Sequence, residues 1–501
     1  MPPEPASHVS TTAPRSDKCP GPDWQWTISR REFLWRFGGG LGGIALAHLL
    51  GQHGLLASDA PLPKPKPELN GGLHHRAKVR RVIQLFMNGG ASQCDTFDYK
   101  PELIRRSGQK FEPGVKVEAA TSTPGNLMKS PFEWKQHGAC GRWVSSVFPH
   151  IATCVDDLAF LMAMASKTNV HGPGSYMMNT GSLTPGFPCL GAWISYGLGS
   201  LSDNLPTFVV LPDPRGLPYN NMGNFSSGFL PVAHAGVVIK PNAPTPIADL
   251  FPPSAAKYIT KESEADGLAL FKKLNREHLL QNPGDTRLEA RIASYELAAR
   301  MQLSAPEALD LSGETEVTKK LYGLDQKESE EFGRSCLTAR RLIERGVRFV
   351  QVWSGAGGAS NNWDNHSNIE KELPAMAART DKPVAALVQD LKARGLFEDT
   401  LLIWTTEFGR MPFAQSSTGR DHNGGTFVTW LAGAGIKGGS AFGESDEFSW
   451  KAADNKTYCY DLHATILHLL GINHEKLTFR HNGIDRRITD VHGELVREIL
   501  A

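Results

Sequence analysis

The sequence predicts an α/β protein with a doubly wound, mostly parallel sheet and loop-rich insertions. Apolar runs that suit buried strands alternate with segments of helical spacing, most clearly from residue 327 onwards. Hydrophobic residues are 40% and charged residues 21% of the 501 positions, which is a globular composition. Glycine and proline, with 50 and 33 residues, indicate many loops rather than a helical bundle.

The charge balance argues against a polyanionic partner. Lys and Arg number 53 against 52 Asp and Glu, so the formal net charge is +1. A nucleic-acid-binding protein normally carries a basic patch that raises this balance. We therefore expect no nucleic acid among the partners.

The first part of the chain predicts a twin-arginine (Tat) signal peptide over residues 1–57. The pair Arg30 and Arg31 precedes a weakly apolar, glycine-interrupted run from Phe37 to Leu50. This run is shorter than the roughly 20 apolar residues that cross a bilayer, and no other stretch is long enough. The prediction is export through the twin-arginine machinery to the periplasm or cell envelope, with no transmembrane helix in the mature chain.

A proline-rich linker is predicted over residues 58–78, because the prolines between Pro61 and Pro67 favour an extended chain. The folded domain is then 79–501. Six of the seven cysteines lie in this domain and none forms a CxxC pair, which argues against zinc-ribbon and thioredoxin folds. In an oxidising compartment they could form up to three disulfides or stay as buried thiols.

The domain begins with an apolar run that ends in Asn88, Gly89 and Gly90, the pattern of a buried strand followed by a loop. Residues 212–284 show little periodicity and predict surface loops or a small insertion. The predicted strands are 80–87, 159–165, 206–212, 347–352, 400–406 and 426–431. The predicted helices are 175–179, 190–196, 286–303, 327–345, 381–394 and 461–470.

Polar clusters follow four of the apolar runs, where the carboxyl ends of parallel strands would bring them to one edge of a sheet. Carboxylates and imidazoles from several strand ends can bind a divalent cation, and Zn, Mg, Ca and Mn all stay open. Glu407 directly follows a very apolar strand, where a lone buried carboxylate would be costly. The candidate metal ligands are Asp95, Asp364, His366, Glu407, Asp421 and His422.

Three further residues are candidates for chemistry. Ser175 lies in a glycine-rich turn that runs into a helix, where free N–H groups favour an anion and the hydroxyl could act as a nucleophile. His171, in the same turn, could orient the turn or transfer protons. Arg410 could neutralise Glu407 or bind an oxyanion.

Several motifs together resemble a bacterial family known as domain of unknown function 1501. The motifs are Met87-Asn88-Gly89-Gly90, His171-Gly172-Pro173-Gly174-Ser175, the segment 340–350, Trp363-Asp364-Asn365-His366, Glu407-Phe408-Gly409-Arg410, Asp421-His422 and the segment 461–467. The resemblance runs from about residue 79 to the C-terminus. It implies a branch of the alkaline phosphatase and sulfatase superfamily, whose sheet holds one or two divalent metals around a nucleophile.

This chain departs from the superfamily pattern that the resemblance implies. Asn88 stands where an acidic metal ligand follows the first strand, and Glu407-Phe408 stands where an Asp-His pair is usual. No cysteine begins the Cys-x-Pro-x-Arg pattern of formylglycine sulfatases. The first hypothesis is an exported, metal-dependent hydrolase of small anionic phosphate or sulfate esters. The alternative is a non-catalytic binding or assembly protein of the cell envelope that keeps the fold.

Overall fold

The structure is a computed structural model of the chain. It describes residues 72–115, 117, 124–248, 250, 260–282, 286–415 and 418–501. The predicted signal peptide, residues 1–57, and linker residues 58–71 lie outside the described residues. The chain divides into two compact units, of which the larger comprises Pro61–Pro253 and Asn275–Ala501. The central sheet and the candidate site both belong to this larger unit.

The strands of the described residues are short, and most of the longer ones belong to one sheet. In chain order they are β1 (Arg81–Met87), β2 (Trp134–His137), β3 (Arg142–Ser145), β4 (Leu158–Met164), β5 (Phe208–Leu211), β6 (Val237–Val238), β7 (Phe349–Ser354), β8 (Thr400–Thr405), β9 (Gly409–Gln415), β10 (Gly419–Asn423), β11 (Phe427–Gly433), β12 (Ala441–Phe442), β13 (Glu444–Ser445), β14 (Ala452–Asp454), β15 (Phe479–His481) and β16 (Ile484–Arg486).

The helices are α1 (Pro101–Arg105), α2 (His171–Thr180), α3 (Leu190–Leu198), α4 (Lys261–Gln281), α5 (Thr286–Leu309), α6 (Glu316–Leu321), α7 (Glu330–Glu344), α8 (Ile369–Ala393) and α9 (Cys459–Leu469). None of them, within the described part of the chain, has the length and hydrophobicity that a bilayer crossing requires.

The central sheet has eight strands in the order β12-β4-β11-β8-β1-β7-β5-β6. β1 pairs in parallel with both β7 and β8, and β5 pairs in parallel with β6 and β7. Only β11 runs against its neighbours β4 and β8, while β12 is parallel to β4. The predicted α/β class with a mostly parallel sheet is therefore confirmed.

Both faces of the sheet are covered, which explains why its strands are apolar throughout rather than alternating. Ile83 and Leu85 of β1 belong to a core that also contains side chains of α7 and α8. Val82 and Phe86 point to the other face and pack in a second core with α2, α3 and α9. This is the doubly wound arrangement that the alternation of strands and helices predicts.

Several elements differ from the sequence predictions. Residues 261–281 form the long helix α4, although this stretch shows little hydrophobic periodicity and was predicted to be part of a loop-rich insertion. α8 begins at Ile369 rather than at 381, because Asn368 caps its N-terminus by accepting from the Lys371 N–H. The last part of the predicted linker bonds to the domain, since the N–H groups of His74 and Lys78 donate to carbonyls at the end of α9.

The cysteines are free thiols in the structure. All six within the described residues are unpaired, and five of them are buried. Of the two alternatives that the sequence left open, the structure therefore shows thiols rather than disulfides.

Candidate metal centre

A cluster of imidazole and carboxylate groups lies where the sheet's parallel strands end. His171 is the first residue of α2, which follows β4, and His422 lies in β10 of the β9–β10 hairpin. Asp364 and His366 lie in the loop after β7. These four residues each offer one ligand atom, and the four atoms all lie within 4.8 Å of one another. The chain folding thus brings together residues that are up to 251 positions apart, from 171 to 422.

The Oδ1 atom of Asp364 is the centre of this cluster. It lies 2.8 Å from Nε2 of His366, 3.0 Å from Nε2 of His422 and 3.2 Å from Nε2 of His171. The two nitrogens Nε2 of His366 and Nε2 of His422 are themselves 2.8 Å apart. Three imidazole nitrogens therefore face one carboxylate oxygen.

The other nitrogen of each ring is next to a hydrogen-bond acceptor. Nδ1 lies 2.7 Å from Glu407 Oε1 in His171, 2.8 Å from the Asn169 carbonyl in His422, and 2.5 Å from Gln415 Oε1 in His366. A carboxylate or carbonyl oxygen can only accept, so each Nδ1 carries the proton and donates it. In the neutral rings, all three Nε2 atoms then present a lone pair to the cluster.

This tautomer pattern fits a bound cation. Nε2 of His171 is buried and makes no aligned hydrogen bond, although Asp364 is near. Lone pairs of His366 and His422 that face each other at 2.8 Å would repel unless positive charge lies between them. Two ligands of one tetrahedral ion with bonds of about 2.0–2.1 Å lie roughly 3.3 Å apart, close to the spacings seen here. The residues present are thus suited to hold a metal ion.

Arg410 holds Asp364 in place from the protein interior. Its Nη2 lies 2.6 Å from Asp364 Oδ1, and the whole residue is buried. Burial raises the pKa of Asp364, but the positive charge of Arg410 outweighs this effect and brings the pKa well below its usual range. Asp364 is therefore ionised at any physiological pH, as a metal ligand must be.

The histidines differ in their response to this environment. Burial lowers the pKa of His422 to about 4, against the opposing effect of Asp364 and with help from the positive charge of Arg410. Burial also lowers the pKa of His171, but Asp364 and Glu407 outweigh that effect and raise it overall. His422 is thus neutral at pH 7 and has its Nε2 lone pair free for a cation.

Glu407 supports the cluster from behind and is not one of the four. Its Oε1 accepts from His171 Nδ1 and, at 2.8 Å, from the Gly89 N–H. A carboxylate that accepts from a ligand histidine fixes the ring's orientation and makes it a better donor to a metal. Glu407 was predicted as a metal ligand, but in the structure it contacts His171 and the Gly89 N–H behind the cluster and is not one of the four clustered residues.

Asp95 and Asp421 were predicted as ligands, but the structure does not bring them into the cluster. Asp95 is fully buried and forms a two-pronged ion pair with Arg420, at 2.6 and 3.0 Å. Asp421 is also buried, and its Oδ1 accepts from the His422 N–H at 2.8 Å. Neighbouring residues of a strand point to opposite faces, so only one of Asp421 and His422 can face the cluster.

Two predicted catalytic residues also have other partners. Ser175 has no exposed surface, and its hydroxyl donates to Asn224 Oδ1 at 2.8 Å. Arg410 directs its N–H groups to backbone carbonyls and to Asp364. The structure therefore gives Arg410 a positioning role at Asp364, whereas the sequence left open neutralisation of Glu407 or binding of an oxyanion.

Aromatic side chains that the sequence analysis missed enclose the cluster. The ring of Tyr219 stacks on that of His171, with centroids 4.4 Å apart and planes at 5°. Phe408 lies against both His171 and His422, each at 4.9 Å. Burial, with the charges of Asp364 and Glu407, raises the pKa of Tyr219 to about 12. Tyr219 lies in the segment 212–284, whose lack of periodicity predicted only surface loops or a small insertion.

The fold and this cluster define an α/β protein with a histidine-rich candidate metal centre at the carboxyl ends of its strands. The family model described as "Protein of unknown function (DUF1501)" matches residues 79–500. The chain therefore belongs to this family. No curated protein matches the sequence.

Several solved structures resemble this chain at low sequence identity, and they include a sulfatase, an alkaline phosphatase and a phosphonate monoester hydrolase. A PsFucS1 sulfatase from Pseudoalteromonas sp. is 14% identical with a TM-score of 0.35, over 87% of this chain and 79% of that chain. Alkaline phosphatase from the Antarctic bacterium TAB5 is 10% identical with a TM-score of 0.33, over 80% of this chain and 100% of that chain. Phosphonate monoester hydrolase SpPMH from Silicibacter pomeroyi is 13% identical with a TM-score of 0.26, over 65% and 68%.

Proposed function

We propose that this protein is a metal-dependent hydrolase of phosphate or sulfate esters. The observation that carries the proposal is the convergence of three imidazole Nε2 atoms on Asp364 Oδ1, all within 3.2 Å of that oxygen. A divalent cation at such a site polarises an ester oxygen and lowers the pKa of a water molecule. The ester class follows the motif resemblance, in which His171, Asp364, His366 and Glu407 take part.

In this proposal the residues around the cluster have different roles. Glu407 and Arg410 fix the orientation of His171 and Asp364, and Phe408 and Tyr219 shield the rings from bulk water. The His366 side chain is 25% exposed, and residues 357–361, which precede it in the same loop, are exposed as well. In this proposal a small substrate approaches the cluster past this loop. The Ser175 hydroxyl is buried and donates to Asn224 Oδ1, so a water molecule is the nucleophile in this proposal.

The test is a single-turnover assay on an aryl phosphate and an aryl sulfate with chelator-treated and metal-reloaded protein. We expect reloading to restore hydrolysis of at least one ester, and His366→Ala to lower that rate by about 100-fold or more because a ligand is lost. His492→Ala, which alters an exposed histidine in another region, serves as the matched control and retains the rate. Metal-reloaded protein that is inert on both esters would exclude the proposal.

The second candidate is a non-catalytic binding or assembly protein of the cell envelope. The burial of Ser175 and the presence of Asn88 where an acidic ligand is expected both favour it. It predicts that the protein binds a metal without turning over either ester, so the same assay separates the two candidates.

Export by the twin-arginine route to the periplasm or cell envelope completes the proposal. It rests on the Arg30-Arg31 pair and the weakly apolar run after it. Replacing both arginines, as Arg30→Lys with Arg31→Lys, should leave the full-length protein in the cytoplasm on cell fractionation. Normal export of the double variant would contradict this part of the proposal.

A further inference from the structure

We propose that the centre takes one metal ion per chain, of the nitrogen-preferring class represented by Zn²⁺ and Co²⁺, and that the Arg410 guanidinium is its fixed second positive charge. This inference rests on the metal site of the proposed function and narrows it. A hydrolase of this general kind could use one or two ions, and either hard or borderline ones. The arrangement of side chains around Asp364 distinguishes these cases.

The donor set selects the class of ion. Three of the four ligand atoms are imidazole nitrogens, each with its lone pair directed inwards because Nδ1 donates to an acceptor behind it. Imidazole suits Zn and other late transition metals, whereas Mg and Ca take sets made of carboxylate, carbonyl and water oxygens. A site with three nitrogens and one oxygen therefore favours Zn²⁺ or Co²⁺ over Mg²⁺ or Ca²⁺.

The oxygen-rich position beside this site is already filled by Arg410. Its guanidinium is fully buried and donates to the carbonyl oxygens of Gly89, Gly90 and Arg420 as well as to Asp364 Oδ1. Several carbonyl oxygens and a shared carboxylate are what a hard cation would need. Here the guanidinium occupies them, so it supplies the neighbouring positive charge permanently and leaves no room for a second ion.

The nearby carboxylates have other partners. Both oxygens of Asp95 pair with Arg420, and Glu407 accepts from His171 and from the Gly89 N–H. Asn88, which follows β1, is an amide rather than an acid, and its Nδ2 donates to carbonyls of the loop after β7. Among the described residues, one group of His, Cys, Asp and Glu could share an ion, and it is the group around Asp364.

Metal content and competition test this inference without an activity assay. Chelator-treated full-length protein is titrated calorimetrically with Zn²⁺, Co²⁺, Mg²⁺ and Ca²⁺, and the reloaded protein is analysed for metal. We expect one Zn²⁺ or Co²⁺ per chain, bound at least about 1,000-fold more tightly than Mg²⁺ or Ca²⁺, with the visible absorption of Co²⁺ in a low-coordinate nitrogen site. Two ions per chain, or hard ions bound as tightly as Zn²⁺, would overturn the inference.

Arg410→Lys tests the role of the guanidinium. Lysine keeps a positive charge but lacks the planar fork that contacts Asp364 and the carbonyls together. We expect Zn²⁺ affinity to fall about 10- to 100-fold, the usual cost of changing a group behind a ligand. The matched control is Arg340→Lys, a similarly buried arginine of α7 paired with Glu314, which should retain Zn²⁺ affinity within about threefold.

The outcomes separate this inference from the proposed function. If Arg410→Lys and Arg340→Lys leave Zn²⁺ affinity equally unchanged, Arg410 is not part of the centre and the inference fails. If Arg410→Lys does not fold, the stoichiometry and ion competition of the unaltered protein decide the matter. One tightly bound Zn²⁺ without ester hydrolysis would contradict the proposed function alone, whereas two ions with hydrolysis would contradict this inference alone.

Discussion

Glu407 shows how one buried side chain prepares a neighbour for chemistry. It has no exposed surface, yet its charge is stabilised by the imidazole N–H of His171 and by the backbone N–H of Gly89. Both donors lie at strand ends that are far apart in the chain. A carboxylate that would be costly if unpaired therefore acts here as a support: it fixes one ring nitrogen of His171 as a hydrogen-bond donor and leaves the lone pair of the other directed at the cluster.

Replacing Glu407 by glutamine tests this role. Glu407→Gln keeps the side-chain volume and an amide oxygen that can accept from His171, but it removes the negative charge that makes His171 a strong donor to a metal. We expect Zn²⁺ affinity to fall about 10- to 100-fold by calorimetry, with the fold retained by circular dichroism. An unchanged affinity would show that Glu407 serves stability alone.

Asp95 provides the contrasting case of a carboxylate that stabilises the fold. Asp95→Asn leaves Arg420 buried with an uncompensated charge, and we expect the free energy of unfolding to fall by about 3–5 kcal/mol in urea titrations. Zn²⁺ affinity of the folded variant should stay within about threefold, since Asp95 does not reach the cluster. A large loss of affinity at little cost in stability would instead restore Asp95 as a ligand.

At the level of elements, close contacts between loops set the geometry of the centre. The turn after β1 passes directly over the loop after β7, and Gly89 is the point of contact. Its φ is +118°, and a Cβ built on it would lie 2.7 Å from the backbone nitrogens of both Trp363 and Asp364. Only glycine satisfies the dihedral angle and the contact together. The position of Asp364 thus depends on the absence of a side chain in another loop.

Gly89→Ala should therefore be costly, and Gly108→Ala is the matched control. Gly108 also has a positive φ, +86°, but nothing lies within 4 Å of its would-be Cβ. The control isolates the dihedral strain of about 1–3 kcal/mol. We expect Gly89→Ala to lower the free energy of unfolding by at least about 1 kcal/mol more, because the neighbouring backbone must shift. Equal losses in the two variants would mean that the loops do not constrain each other.

At the level of the whole molecule, burial on both sheet faces determines how the protein responds to acid. His463 of α9 is buried in the layer that covers one face, and its Nε2 lies 2.9 Å from the Met178 carbonyl. Burial lowers the pKa of His463 to about 4, against 6.5 for an exposed histidine. The unfolded chain therefore binds this proton at a higher pH than the folded protein does.

The stability of metal-free protein should consequently fall as the pH is lowered from about 6.5 towards 4, and be fully present above 6.5. His463 contributes a slope of up to about 1.4 kcal/mol per pH unit within that window. Urea titrations across the window should show a shallower slope for His463→Gln and an unaltered slope for the exposed-site variant His492→Gln. The same slope in His463→Gln as in the parent protein would mean that His463 is protonated in the fold.

Much of the architecture could be predicted from the sequence because it depends on local patterns of apolar and turn residues. The six predicted strands all appear in the central sheet, since apolar runs between turn residues reflect burial on both faces. Helix α4 was missed because it follows a stretch rich in glycine, proline and asparagine, with which it was grouped as one loop-rich insertion. Asp364, His366 and His422 were identifiable as polar residues just after strands, and these three are in the cluster.

The sequence by itself determined the fold class, the strand ends at which chemistry is possible, and most of the residues that meet there. Only the tertiary structure decided their roles. It placed Asp95 on Arg420, Glu407 behind His171, and Arg410 against Asp364. The physical reason is that a ligand and a supporting carboxylate are the same residue type in the same local pattern. The difference lies in which partner stands within 3 Å, and that depends on contacts between loops hundreds of residues apart.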